Sequence, residues 1–472
     1  MLWAESEMMG VDLGDKRLNR RAAKLLGQLG STPNENIPSS CRGWAETKAA
    51  YRFFNNDKVS AEKILSPHRA ATLKRMACYD TVLLLQDTTQ LNYSGQKLKS
   101  GIGPLNRDNH RGILLHPTIA VTDRGLCLGV LDDLHWYRKG LHHQSQHEKN
   151  RINIKTPISE KESYRFVRGY QIANQISKKV PKTRIVSVSD REGDIYDLYN
   201  ESNNQKQGEN PAHWLVRANR SRPILNEFGK RSNQSLWEVV AQEEPCCIIE
   251  FALTPKRGCA KRQVKQAIRV KRVTLHPPTG RRGKLRCEAV EVNALVATEI
   301  APPDGEEAVE WFFITSLPID TPYSSRLIIQ YYLCRWQIEV FFRIYKSGCN
   351  VEELQLENEK RMSPCLVLYL IIAWRILYMT HASRHFPGTS CEVIFDKQEW
   401  HAIYILTKKK KPPQKPPSLY SMIRMLATIG GFLNRKLDKE PGPKAIWMGL
   451  QRIKDCILIN QMNAVLSPQT CG

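Results

Sequence analysis

No C-x-x-C pair and no tight cysteine cluster occurs in the 472 residues. The thirteen cysteines are scattered from Cys41 to Cys471, odd in number, with Cys246-Cys247 the one adjacent pair. That distribution argues against a disulfide framework and against a zinc module. It predicts reduced, mostly buried thiols and a cytoplasmic protein. Long apolar runs are missing too. The longest, Cys365 to Trp374, has ten residues, about half of what a bilayer needs, so it predicts a buried helix and no membrane partner. Met1 to Gly10 carries Glu5 and Glu7 around no apolar core, which is not the pattern of a signal peptide. There is no internal repeat. Acidic residues are the last shortage: 47 Asp+Glu against 70 Lys+Arg leave a net charge of +23. A chain that basic points to a polyanionic partner, with nucleic acid first among them.

The rest of the composition, 41% hydrophobic and 25% charged, is that of a soluble globular protein, and the length predicts two or three domains. Residues 1 to about 70 read as helical. Leu18, Ala22, Leu25, Leu26 and Leu29 share one helical face, with Arg17, Arg20, Arg21 and Lys24 largely on the other. Trp44 to Phe54 repeats the habit, with Trp44, Thr47, Tyr51 and Phe54 as its stripe. Ser31 to Ser40, rich in Ser, Pro and Asn, predicts a loop. From about 75 to 220 strands alternate with helices: Thr81–Gln86, a hairpin of Ile113–Val121 and Leu126–Leu134, a helix over Ser159–Lys179, and strands at Arg184–Ser189 and His213–Val216. This predicts a mixed sheet with helices on its faces. Residues 220–318 read as a β-rich insertion. Ser324–Ser347 reads as one long helix, and the remainder as helical apart from the solvated tract 408–417 (KKKKPPQKPP).

Three carboxylates stand out by position. Asp87 and Asp190 each end a strand, and Glu339 sits inside the long helix. Side chains converge at strand ends in open sheets, and hard divalent cations take carboxylate oxygens. Two such ions ~3.5–4 Å apart serve the attacking and leaving oxygens of an in-line phosphoryl displacement. A strand-end Asp is also a common cap, and a helical Glu is usually solvated. The helix context favours the first reading. Tyr332, Arg335, Glu339 and Lys346 fall within about 60° of one another on an ideal helix, a polar stripe between Ile338, Val340 and Phe341.

The run Tyr332-x2-Arg335-x3-Glu339-x6-Lys346 resembles the YREK signature of bacterial insertion-sequence DDE transposases. Asp190-Arg191-Glu192-Gly193-Asp194 is similar to that family's D-R-E-x-D element, Asp87-Thr88-Thr89 to its first block, and Glu46 to Asn56 (ETKAAYRFFNN) to its N-terminal DNA-binding domain. The resemblance implies an α/β, ribonuclease-H-like core over residues 71–360, with the β-rich insertion at about 220–318. A helical end-binding domain (1–70) and a helical C-terminal domain for dimerisation (361–472) would flank it. It implies Asp87, Asp190 and Glu339 as catalytic ligands of two Mg²⁺ ions, with Mn²⁺ able to substitute. The implied partners are terminal inverted repeats, target DNA and a second copy of the chain, and the implied activity is cut-and-paste transposition through strand cleavage, a hairpin and strand transfer. Arg17, Arg20, Arg21, Tyr332, Arg335, Trp336 and Lys346 would contact DNA. Trp311 would stack on a base flipped from the DNA end, although core packing is the usual fate of a Trp.

Lys256 to Arg286 holds twelve Lys/Arg and no acid; as an alternating strand it would line one face with phosphate contacts. His142, His143 and His147 lack further ligands nearby and read as polar loop rather than a zinc site. A catalytically silent DNA-binding derivative, such as a transposition inhibitor or a domesticated end-binding protein, is the principal alternative. A nuclease without strand transfer is the other. Retention of all three carboxylates and of the N-terminal motifs favours an active transposase.

Overall fold

Thr81–Gln86 (TVLLLQ) is buried over five of its six residues, as befits a strand covered on both faces. In the computed structural model, which describes residues 2–96, 100–107, 109–139, 156–205, 210–253, 262–279 and 286–466, it pairs in parallel with Arg184–Ser189, and that strand in parallel with His213–Arg217. Contacts divide the chain into two compact units, and these strands belong to the one made of residues 76–87 and 142–336. Beyond His213–Arg217 the sheet turns antiparallel through Glu310–Thr315, Val290–Glu299 and Arg262–Leu275, with Cys247–Leu253 against the last of these. The β-rich stretch is thus built onto the parallel strands, through Phe313 opposite Arg217. A short hairpin, Pro223–Leu225 with Arg231–Ser235, went unforeseen because one arm is only three residues long and the other (RSNQS) has no apolar residue. The helix Tyr164–Lys179 buries Phe166, Val167, Tyr170, Ala173 and Ile176. Gly169 gives it room, since a Cβ there would lie 2.1 Å from Gln86 Oε1.

The other unit comprises residues 1–75, 88–141 and 337–472. Its hairpin, Arg111–Thr122 with Cys127–Trp136, turns at Gly125 (φ +88°), as predicted. Glu359–His385 is long and apolar enough to span a bilayer, yet 89% of that stretch is buried within the protein, so the helix predicted at Cys365–Trp374 is a core helix. Trp374 Nε1 donates to the Cys127 carbonyl (3.0 Å), tying it to the hairpin.

Among the N-terminal helices, Lys16–Ser31 is capped by Asp15 and buries Ala22, Leu25, Leu26 and Leu29. The predicted loop contains one short helix, Ile37–Cys41, capped by Asn36. Trp44–Phe54 has the predicted bounds but not the predicted stripe. Thr47, Ala50, Phe53 and Phe54 are buried, whereas Trp44 is 78% exposed. Trp44 is the first residue after Gly43, and with Lys48 and Arg52 at i+4 and i+8 it forms the outward face.

Candidate active site and nucleic-acid interface

The register of the parallel strands decides what meets at their ends. Leu85 lies opposite Val188, and Ser189 opposite Val216. Asp87 and Asp190 follow the last residues of these two adjacent parallel strands, and Arg217 ends the next strand along. Asp87 Oδ2 accepts from Arg335 Nη1 at 2.8 Å, and both side chains are largely buried. The Tyr332 ring packs on Phe313 (centroids 4.8 Å) and lies between two guanidinium groups, Arg335 at 5.8 Å and Arg217 at 5.9 Å, within cation–π reach. Arg217 Nε is buried with no hydrogen-bond partner among the described residues. Sequence reasoning missed Arg217; its signal was a basic residue ending a strand (HWLVR) at the edge where Asp190 ends its own.

Asp190 Oδ1 accepts from the Glu192 amide (3.0 Å), capping the turn Arg191–Gly193. Gly193 is required there, because a Cβ would come within 2.1 Å of Ser189 Oγ. Asp194 has a different job. It is fully buried and accepts from the amides of Asn219 (2.7 Å) and Arg220 (3.1 Å), from Tyr199 Oη (2.7 Å) and from the Arg222 guanidinium. It pins the segment that follows the Arg217 strand.

The predicted long helix is interrupted. Pro322–Cys334 and Trp336–Arg343 are joined through Arg335, itself helical (φ −55°, ψ −30°), and a π-helical turn, Ile344–Gly348, follows. A π turn changes the angular step, and Lys346 lies within it. Its Nζ donates to the Gln90 carbonyl (2.8 Å) and pairs with Glu352 (3.2 Å). Glu339 is half-buried on Trp336–Arg343, four residues after Arg335. It belongs to the unit that contains residues 337–472. Trp336 is 61% exposed and free of the core, with Leu333 exposed beside it on the helix. Trp311 is half-buried and its ring stacks on Phe251. Among the described residues no three His, Cys, Asp or Glu side chains are grouped to hold a metal ion.

Three family models match the sequence: "Transposase DNA-binding" over residues 1–59, "Transposase DDE domain" over 101–374 and "Transposase Tn5 dimerisation domain" over 371–464. The DDE match covers more than half of the chain. This protein belongs to the DDE transposase family. It is a metal-dependent enzyme of DNA strand cleavage and transfer, with a ribonuclease-H-like core, a DNA-binding segment and a dimerisation segment. Asp190 and Glu339 fall inside the DDE span, and Asp87 lies before it.

Within the transposase's DNA-binding segment the three predicted arginines differ. Arg17 is exposed and bonded to its own cap, Asp15. Arg20 is exposed. Arg21 is engaged, at 2.6 Å from Glu46 Oε2, while Lys24 lies 2.8 Å from Oε1. Those two cations, Lys24 foremost, hold the Glu46 carboxyl below the usual carboxylate range. A groove of about 690 Å³ runs between the two helices, lined by Arg17, Arg21, Trp44, Lys48 and Arg52. Lys48 Nζ stands 5.9 Å from the Trp44 ring. An exposed Trp on a basic helix face is the nucleic-acid signature that sequence reasoning missed, since a helix's first residue can be placed on either face by periodicity alone.

The basic strand is reassigned. Arg262, Lys265, Lys271 and Arg272 pair with Glu299, Glu250, Glu243 and Glu291 on neighbouring elements. The unbroken register places Lys265, Arg269 and Lys271 on one face but Arg262 and Arg272 on the other. Residues 254–261 and 280–285, like His142, His143 and His147, lie outside the described residues.

Proposed function

We propose that this transposase binds the terminal inverted repeats of its own element and moves it by cut-and-paste. Asp87, Asp190 and Glu339 would form its catalytic triad, in a core spanning about 71–360 between the end-binding region 1–70 and the C-terminal region 361–472. One observation carries the reading: Asp87 and Asp190 follow the ends of two strands that pair in parallel. Two adjacent, half-buried carboxylates are hard oxygen donors of the type Mg²⁺ takes, and Arg335 on Asp87 marks the positive charge the pair calls for. Glu339, one helical turn beyond Arg335, is the third ligand in this reading. Two Mg²⁺ ions, or Mn²⁺ in their place, when bound supply charge stabilisation to the attacking and leaving oxygens.

The chain's own side chains do the positioning. Arg217, Arg335 and Lys346 present cations to phosphate oxygens, and Tyr332 holds the first two by its ring. Trp336 contacts DNA from the exposed helix surface, and Trp311 stacks on a base extruded from the end. The reaction runs through successive displacements at phosphorus. Water attacks the phosphodiester at the element's end and a 3′ hydroxyl leaves. That hydroxyl attacks the opposite strand, closing a hairpin and releasing the flanking DNA. A second water opens the hairpin, and the freed 3′ hydroxyl attacks target DNA. Two ends are held by two copies of the chain. Arg17, Arg20, Lys48 and Arg52 supply end contacts, Trp44 stacks in the groove, and Arg21 acts through its ion pair with Glu46.

The experiment is incubation with Mg²⁺ and DNA carrying the inverted repeats that flank the reading frame, together with a target plasmid. The expected products are nicked ends, hairpins and joined strands. Nicks without joining would reduce the protein to a nuclease, and binding without any nick to a silent end-binding derivative.

A further inference from the structure

Phe251 and Trp311 sit three strands apart in the pairing order, yet their rings meet with centroids 5.0 Å apart and planes at 17°. The register explains how. Phe251 lies opposite Val264, Ile268 opposite Ala297, and Ala297 opposite Trp311. Opposed residues share a face, and so do residues two apart along a strand. Phe251, Val264, Gln266, Ile268, Ala297 and Trp311 therefore all project from one face of the ribbon. Val264, Gln266, Ile268 and Ala297 are fully buried, whereas the two rings are only half-covered. The ribbon curls around its inner face, and the ring pair closes the mouth.

We propose that Phe251 is a positioning residue for DNA processing: it backs the Trp311 indole so that the opposite indole face receives an extruded nucleobase. This rests on the reading of Trp311 as a base platform. An indole at the rim of a core has two rotatable bonds, and a base that must first order it stacks less well. An offset-stacked aromatic on one face fixes that plane in advance and leaves a π-face for the base. A residue that merely filled the ribbon's mouth would need bulk, not a π-face. Phe251 is neither acid, base nor metal ligand; it acts only through Trp311.

The test uses full-length protein and a terminal-repeat end, already nicked, carrying 2-aminopurine in turn at each of the first few positions. A base stacked on indole is quenched, and an extruded but unstacked one is bright. Wild type should quench at one position. Trp311→Ala should brighten that position and lower hairpin yield per nicked end. Phe251→Ala should also brighten it and lower that yield about three- to tenfold, the range set by one aromatic pair. Phe251→Leu keeps apolar bulk without the ring and should behave like Ala, whereas Phe251→Tyr should restore quenching. Thermal melting identifies any variant that fails to fold, and the Leu and Tyr pair decides the matter if Ala does. Phe251→Leu at wild-type quenching and yield overturns the proposal, and so does a gain of hairpin in Phe251→Ala, which would make the ring a competitor of the base. If Trp311→Ala leaves both readouts unchanged, the platform reading itself fails. If Trp311→Ala changes both and Phe251→Ala neither, only the inference about Phe251 falls.

Discussion

Two carboxylates set abreast repel one another unless a cation stands between or beside them. In this transposase Arg335 does so for Asp87, and its replacement has a predictable signature. Arg335→Gln should lower the melting temperature in metal-free buffer, because a largely buried ion pair is broken on one side. Added Mg²⁺ should recover most of that loss, since a ligand bound by the folded state stabilises it by mass action. Equal loss with and without Mg²⁺ would show that the aspartates do not bind the ion. A second residue-scale prediction concerns His68. Its Nε2 accepts from the Val130 amide (3.0 Å) and its Nδ1 donates to Glu7 Oε2 (2.6 Å), so the ring is neutral in the fold. Burial, outweighing Glu7, holds His68 below its ordinary value. Burial alone would raise Glu7, but His68 and Arg75 outweigh it and hold the carboxyl below its ordinary range. Both groups bind protons more readily unfolded than folded, so stability falls as pH drops below about 6.5, and again below about 4.5. Melting temperature followed from pH 8 to 5 should show the first loss, and His68→Gln, which can keep both hydrogen bonds, should flatten it. An identical profile in that variant would remove His68 from the account.

In the DNA-binding segment some cations are engaged and others displayed. Arg21 and Lys24 share Glu46, whereas Lys48 and Arg52 flank the exposed Trp44. Lys48→Ala with Arg52→Ala should weaken end binding and reduce the slope of log K against log salt by about two. Arg21→Ala should change the slope little, because its charge already has a partner. The reverse ranking in salt titrations would make Arg21 the direct contact and remove Lys48 and Arg52. Here the limits of sequence reading are physical. Strands with strong apolar content, such as Thr81–Gln86 and Arg184–Ser189, were legible to the residue, and so were the carboxylates at their ends. The parallel pairing that makes their strands neighbours was not, because pairing is a tertiary choice with no local signal. The π turn was equally hidden, because nothing in Ile344–Gly348 announces it. The carboxylate partners of Arg262, Lys265, Lys271 and Arg272 were not legible either, because distant elements supply them.

For the whole molecule, the excess charge of +23 remains after these internal pairs are formed, and it is spread over a chain with DNA-binding, DDE and dimerisation segments. DNA association should therefore fall steeply with ionic strength, while strand cleavage depends on very few side chains. The most direct measurement is nicking of terminal-repeat DNA in Mg²⁺ by Asp87→Ala, Asp190→Ala and Glu339→Ala, with gel-shift of the same DNA by the same preparations. Each substitution is expected to abolish the nick and leave end binding nearly intact, because carboxylates serve the displacement and Lys and Arg the phosphate contacts. A variant that nicks at the wild-type rate would contradict the assignment of its residue, and normal nicking by all three would contradict the active site described for this transposase.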